Sequence, residues 1–473
     1  MVFSSLYFLL YFLPAFLLFY YLSPRSLKNA VALIASCFFY AWGEPEFIFV
    51  VFTSLILDFY LVQLMHLSEG KRKRQWLWTS LILNIGLLLG AKYLNFFVDN
   101  INVFTNIFGA KAIHLQNIML PIGISFISFQ KISYVLDCYQ KRSKPLYSFV
   151  DYALYILFFP QLIAGPIVRF NEIADQLKDR RANETIDNKI NGFFRFIIGL
   201  SKKVLIANSL GLFVDQVFAT APETMSSFTV WMGMLAYALQ IYFDFSGYSD
   251  MAIGLALMLG FRFPENFNFP YIAQSITDFW RRWHITLSKW MRDYLYIPLG
   301  GNRVSTSRLY LNLWIVFLIS GFWHGAAWTF IFWGVFHGFF LILDRLFLLR
   351  FLKRIGKIPA VFFTFFIVLI GWVFFRSGSF NYAFSYIGQL FSFQSGGLDF
   401  FVDGRFWWSL ILGLLFSFSA LFSWVESLVN RLFIEYTQLW VLALKSLVSL
   451  LLGLICLMDI YASGFNPFIY FQF

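Results

Sequence analysis

Charged side chains are scarce in this 473-residue sequence: Asp, Glu, Lys and Arg together make up 13%, against about 25% in an ordinary soluble protein. With 59% hydrophobic and 22% aromatic residues, Phe alone numbering 64, that shortage excludes a water-soluble fold, because an interior of this size cannot hide so much apolar side chain. It also excludes a disordered chain, a coiled coil and a soluble enzyme with one hydrophobic tail, since apolar runs recur from end to end. Cysteine is scarce as well. Cys37, Cys138 and Cys456 lie in apolar runs without CxxC spacing, which excludes a disulfide framework and a thiolate metal site. Stretches of linker composition and internal repeats are missing too. The chain therefore reads as one membrane domain over residues 1–473, and an inverted-repeat transporter has no support. The first apolar run, residues 2–22, carries neither a basic leader nor a small-residue cleavage site, so it reads as a retained membrane segment.

What is present is a series of apolar runs. A helix needs about 20 residues to cross a hydrocarbon core about 30 Å thick. On that rule spans are expected at 2–22, 27–42, 46–67, 76–98, 118–138, 191–215, 228–245, 308–343, 359–376, 407–429 and 438–461. The run 308–343 is long enough for two helices with a break. Residues 149–168, interrupted by Pro160 and Pro166, and 248–261 are short enough to be re-entrant. The expected fold class is an all-α polytopic membrane protein of roughly ten to twelve transmembrane helices with re-entrant and interfacial helices.

The formal charge of +11 is not a nucleic-acid signature here, because the bases fall in short blocks between spans. Lys71–Arg74, Lys141 to Lys144 and Arg350 to Lys357 read as cytoplasmic, and the Glu44–Glu46 connection as external, with the N-terminus outside.

Five histidines are candidates for proton chemistry. His66 and His114 lie at a span end and in a polar connector. His324 stands inside an apolar run, flanked by Gly321, Gly325, Ala326 and Ala327. Those small residues leave room beside the ring for a substrate or for neighbouring backbone. His337 follows 13 residues later, roughly 140° away on a continuous helix at about 100° per residue, and reads as structural.

Residues 277–294 read as one amphipathic helix, with Trp280, His284, Ser288 and Met291 on one face and i,i+4 pairs Asp278–Arg282 and Lys289–Asp293. Two readings stand side by side. The helix is an anchor at the headgroup level, or Arg281 and Arg282 meet a phosphorylated ligand while His284 faces a cavity. A second cluster, Tyr242 to Asp250, holds Asp244, Tyr248 and Asp250 around Gly247. It suggests a broken helix lining a polar cavity, or aspartates held structurally by an arginine.

At these residues the sequence resembles the membrane-bound O-acyltransferase family. The likeness runs through Gln161–Ile167, Tyr242–Asp250, Pro264–Phe267, Asp278–His284, Tyr296–Gly301, Gly321–Gly325, Gly371–Arg376 and the C-terminal residues 466–473. It is strongest to the bacterial branch of alginate and peptidoglycan O-acetyltransferase membrane subunits, with teichoic acid D-alanyl transfer in a neighbouring branch. The resemblance implies helices around a narrow central tunnel, with His324 as the signature histidine and His284 as a second catalytic group. Beside it, Arg281 and Arg282 stand as candidates for binding the donor, and Asp244, Tyr248, Asp250, Asn266 and Trp323 as candidates for lining the tunnel; the membrane would be the bacterial cytoplasmic (inner) membrane. No bound cofactor or metal is implied. The donor would be a cytoplasmic thioester, acetyl-coenzyme A, and an extracytoplasmic partner would complete transfer to a polysaccharide. The rivals are D-alanyl transfer, a transporter or flippase using Asp244, Asp250 and Arg281, and a non-catalytic scaffold.

Overall fold

The computed structural model describes residues 1–109, 111–115, 120–434, 436–464 and 469. They are helical throughout, with no strand among them. The protein is thus an all-α polytopic membrane protein. Seven of the described helices are long and apolar enough to cross a membrane: Phe47–Leu67, Gly70–Ile107, Ile186–Ala219, Trp328–Ile355, Lys357–Arg376, Gly404–Leu421 and Leu439–Ser463. The other expected spans are helical too, at Tyr7–Leu22, Lys28–Gly43, Ile124–Tyr139, Ser227–Met258 and Thr306–His324. They are shorter or carry more polar groups.

The described chain packs as two compact units. The first comprises Met1–Glu184 with Gly260–Arg262. Its residues 149–168 form two short helices, Phe149–Leu157 and Phe159–Leu162, and nearly all of this segment is buried. Gln161, in one of the family-like motifs, donates its side-chain amide to the Tyr155 carbonyl at 2.5 Å. Inside the same unit Asp58 accepts hydrogen bonds from Ser80, from Asn84 at 2.9 Å and from Tyr152 at 2.8 Å. Lys131 donates to the carbonyl and the hydroxyl of Ser54, each at 3.2 Å. Asp58, Asn84 and Lys131 line a cavity of about 430 Å³ whose other walls include Phe49, Val50, Leu57, Leu83 and Leu87.

The second unit comprises Thr185–Leu259 and Phe263–Phe473. Its centre is an antiparallel pair formed by Ile186–Ser201 and Ser227–Met258. The two backbones touch at Gly192 against Gly254 and at Gly199 against Gly247; a Cβ at any of the four would fall on the facing backbone. Small residues permit that approach in a membrane protein, where apolar burial does not drive helices together. The close contact corrects two expectations. Ser227–Met258 is one unbroken helix of 32 residues, so there is no break at Gly247 and no separate segment at 248–261. Gly247 serves the neighbouring helix, not a kink.

A π-helical turn at Lys202–Asn208 continues the first helix of the pair. Lys203 meets Asp244 at 2.6 Å, both side chains 2% exposed. Lys202 meets Asp250 at 2.6 Å, and Arg195 holds the other oxygen of Asp250 at 2.9 Å. Each carboxylate is thereby neutralised, as a charge in an apolar helix pair must be. The C-terminal motif lies outside the described residues except for Ile469, whose N–H donates to Asp244 at 3.1 Å.

Candidate active site

The expected single helix over 277–294 is two. Ser275 caps the first, accepting from the Asp278 N–H at 3.0 Å, and Asp278 reaches back to the Gln274 N–H at 3.2 Å. Together the two bonds fix where this helix starts. The helix Ile276–Arg282 then stops: Trp283 is extended and His284 takes a left-handed φ of 44°. A second helix, Ile285–Met291, begins immediately.

What enforces the break is the non-helical segment carrying Asn266. The Ile285 N–H donates to the Asn266 carbonyl and the Asn268 N–H to the Arg282 carbonyl, both at 2.9 Å. A left-handed conformation in a non-glycine residue costs about 1–3 kcal/mol, and such strain clusters at functional sites. Because the helix breaks there, Trp280, His284, Ser288 and Met291 do not share a face. Asp278–Arg282 forms as spaced, at 3.0 Å, whereas Asp293 takes Arg292 at 2.6 Å in place of the expected Lys289. The two arginines diverge. Arg282 is tied to Asp278 and to the Asn268 carbonyl, while Arg281 is exposed.

His284 is wholly buried. Its Nδ1 stands 3.2 Å from Asn266 Oδ1, and its Nε2 has no hydrogen-bond partner among the described residues. Burial pushes its pKa down to about 3, so the imidazole is neutral at pH 7. The ring of Phe245 lies 4.7 Å away, edge-on.

His324 ends the helix Thr306–His324, and Gly325–Ala327 form the anticipated break before Trp328–Leu343. The space beside His324 is already filled. A Cβ at Gly321 would meet the Phe330 carbonyl and Gly334, and one at Gly325 would enter the Phe330 ring. The small residues thus serve helix packing, which was one of the two uses anticipated. Trp323 stands between the two histidines, its ring centroid 6.2 Å from His284 and 4.9 Å from His324. On the far side of His324, Trp333 lies at 5.0 Å and Phe375 at 5.3 Å.

Trp333 is also 5.0 Å from His337, so the rotation argument that separated His337 from His324 does not apply across a broken helix. His337 is fully buried, and neither ring nitrogen has a partner among the described residues. Gly371 makes room for it; a Cβ there would stand 2.9 Å from His337 Nε2.

Of the expected site residues, His284, Asn266, Trp323 and His324 are thus brought into one chain of contacts. Tyr248 is buried in the helix Ser227–Met258, and Asp244 and Asp250 are occupied by Lys203, Lys202 and Arg195. His66 and His114 are exposed. Sequence reasoning missed Arg195, Lys202 and Lys203, and also Trp333 with the ring of Trp372 stacked 6.1 Å from it. Two adjacent lysines within the apolar run 191–215 were the available signal, since an intramembrane charge needs a counterion. Among the described residues, no three His, Cys, Asp or Glu side chains converge as metal ligands would.

Residues 47–384 match the model of the membrane-bound O-acyltransferase family, MBOAT. The chain belongs to this family. Among its MBOAT relatives, the probable alginate O-acetylase AlgI of Pseudomonas aeruginosa is 46% identical over 84% of this chain and 76% of its own. The peptidoglycan O-acetyltransferase of Helicobacter pylori is 40% identical over 80% of this chain and 77% of its own. A more distant relative, the teichoic acid D-alanyltransferase of Bacillus subtilis, is 30% identical over 47% of this chain and 58% of its own. This protein is accordingly a multi-pass membrane O-acyltransferase, and its donor is an acyl compound.

Proposed function

We propose that this acyltransferase takes an acetyl group from cytoplasmic acetyl-coenzyme A and passes it across the bacterial cytoplasmic membrane to an extracytoplasmic partner, which O-acetylates a polysaccharide. The observation that carries the proposal is the high identity, over most of the chain, to proteins named for acetyl transfer to alginate and peptidoglycan. The D-alanyl relatives match only about half of the chain.

In the proposed chemistry His324 is the general base. A hydroxyl is a poor nucleophile while it keeps its proton. His324 removes that proton as the new C–O bond forms and the thioester C–S bond breaks, and the proton then passes to the departing thiolate. Such catalysis contributes about 10²–10⁴-fold. His284 orients the acceptor or polarises the carbonyl. Arg281, exposed while Arg282 is fastened to Asp278 and to the Asn268 carbonyl, binds a donor phosphate.

Purified protein with labelled acetyl-coenzyme A should release free thiol together with acetylated acceptor. Solute movement without thiol release would identify a transporter instead. Basic loops facing the cytoplasm are part of the proposal, because they set the direction of transfer. Single cysteines replacing Arg72, Arg142 or Arg354 should resist an impermeant thiol reagent in intact cells, and one replacing Pro45 should react. Labelling at 72 or 142 from outside would overturn the direction.

A further inference from the structure

Asn266 was expected along the tunnel as a substrate contact. Its side-chain oxygen is instead fully engaged inside the protein. Oδ1 faces the Thr286 backbone N–H at 3.2 Å, the Thr286 hydroxyl at 2.9 Å and His284 Nδ1 at 3.2 Å. Nδ2 donates to Ser249 at 3.1 Å. The orientation of this amide is not arbitrary. A backbone N–H can only donate, so the atom facing Thr286 N must be the oxygen.

An oxygen opposite His284 Nδ1 in turn requires that nitrogen to carry the proton. A neutral imidazole has one N–H, so Nε2 is left with a bare lone pair. Its burial keeps the ring from taking a second proton, and no described residue donates to Nε2. The backbone bonds on either side of His284 fix its main chain beside Asn266.

We infer that Asn266 is a positioning residue that locks His284 in the Nδ1–H tautomer, so that Nε2 accepts a hydrogen bond from an O–H of the acceptor. This rests on the acyl-transfer reading above and decides between the two roles left to His284. Polarising a thioester carbonyl needs an N–H at that position, and Nε2 has none to offer. The second-position histidine thus holds the acceptor, and the donor carbonyl is stabilised by other groups.

The test is 15N NMR of the full-length protein labelled in its histidine rings, with His284→Gln identifying the resonances. In the unmodified protein His284 Nδ1 should report as N–H and Nε2 as a lone-pair nitrogen. Asn266→Ala should populate both tautomers and lower kcat for thiol release by about 10²-fold, with the KM for acetyl-coenzyme A little changed. Asn266→Asp keeps an acceptor at Oδ1. It should therefore preserve the tautomer, recover most of kcat, and move the acid limb of the kcat–pH profile upward, because a carboxylate raises the basicity of the imidazole. An Nε2–H resonance in the unmodified protein would overturn the inference, as would unchanged kcat in Asn266→Ala. The tautomer is read without catalysis. A correct tautomer with full activity in His284→Gln would instead count against the proposed role of His284 in acyl transfer.

Discussion

Two buried polar sites in this protein differ in how their hydrogen bonds are satisfied. In the first unit Asp58 answers three donors, and Lys131 is held by Ser54. In the second unit His284 Nε2 is fully buried with no partner among the described residues. The Asp58 cluster even borders a cavity of about 430 Å³, yet its polar groups are satisfied within the protein. A cavity does not make a reactive site when its donors and acceptors already have partners. A buried lone pair without a donor is uncommon in native proteins and is answered by a water, an ion, a ligand or a chemical role. The second site is also strained, with His284 at φ 44°, whereas Asp58 sits within the regular helix Phe47–Leu67.

The contrast can be broken most directly at His324. Replacing it with Ala should lower acyl transfer by at least about 10²-fold, the scale of a lost general base, while membrane insertion and melting temperature stay close to the parent. Near-parental activity in correctly inserted protein would remove His324 from the chemistry. Asp58→Ala should do the reverse. It strands the Ser80, Asn84 and Tyr152 donors, each worth about 1–3 kcal/mol when left unsatisfied, so yield and melting temperature fall while kcat per folded molecule is unchanged. A specific loss of kcat would show that the Asp58 cluster is not merely structural.

The smallest effect separates the two arginines. Arg281→Gln should raise the KM for acetyl-coenzyme A by about tenfold, the value of one charge-assisted hydrogen bond, without changing stability. Arg282→Gln should lower the melting temperature, because Arg282 fastens Asp278 and the Asn268 carbonyl. Equal effects of both on KM would restore the view of the pair as one phosphate clamp.

The motifs were legible because each carries its own local physics. The length of the apolar run 308–343 announced two helices with a break, and a histidine among small residues at 321–327 marked a place of close packing. The break at His284 was not legible. Its cause is hydrogen bonding to Asn266, 18 residues earlier, and helical spacing within 277–294 carries no trace of it. Of the two readings of the polar cluster at 242–250, the structurally held aspartate stands, with Arg195 on Asp250, and the broken helix does not, for a similar reason. Aspartates in an apolar run suggested a broken helix, but their counterions, Lys203, Lys202 and Arg195, come from another helix.

The sequence by itself determined the fold class and the family, because scarce charge, repeated apolar runs and ordered motifs are properties of the chain read in one dimension. It also singled out His284 and His324 among five histidines. Only the tertiary structure decided what those rings face: Trp323 between them, Asn266 against one nitrogen of His284, and Phe330 in the space that the glycines beside His324 leave. A tautomer, an ion pair and a filled gap are set by which atoms meet across distant segments, and spacing along the chain does not encode that.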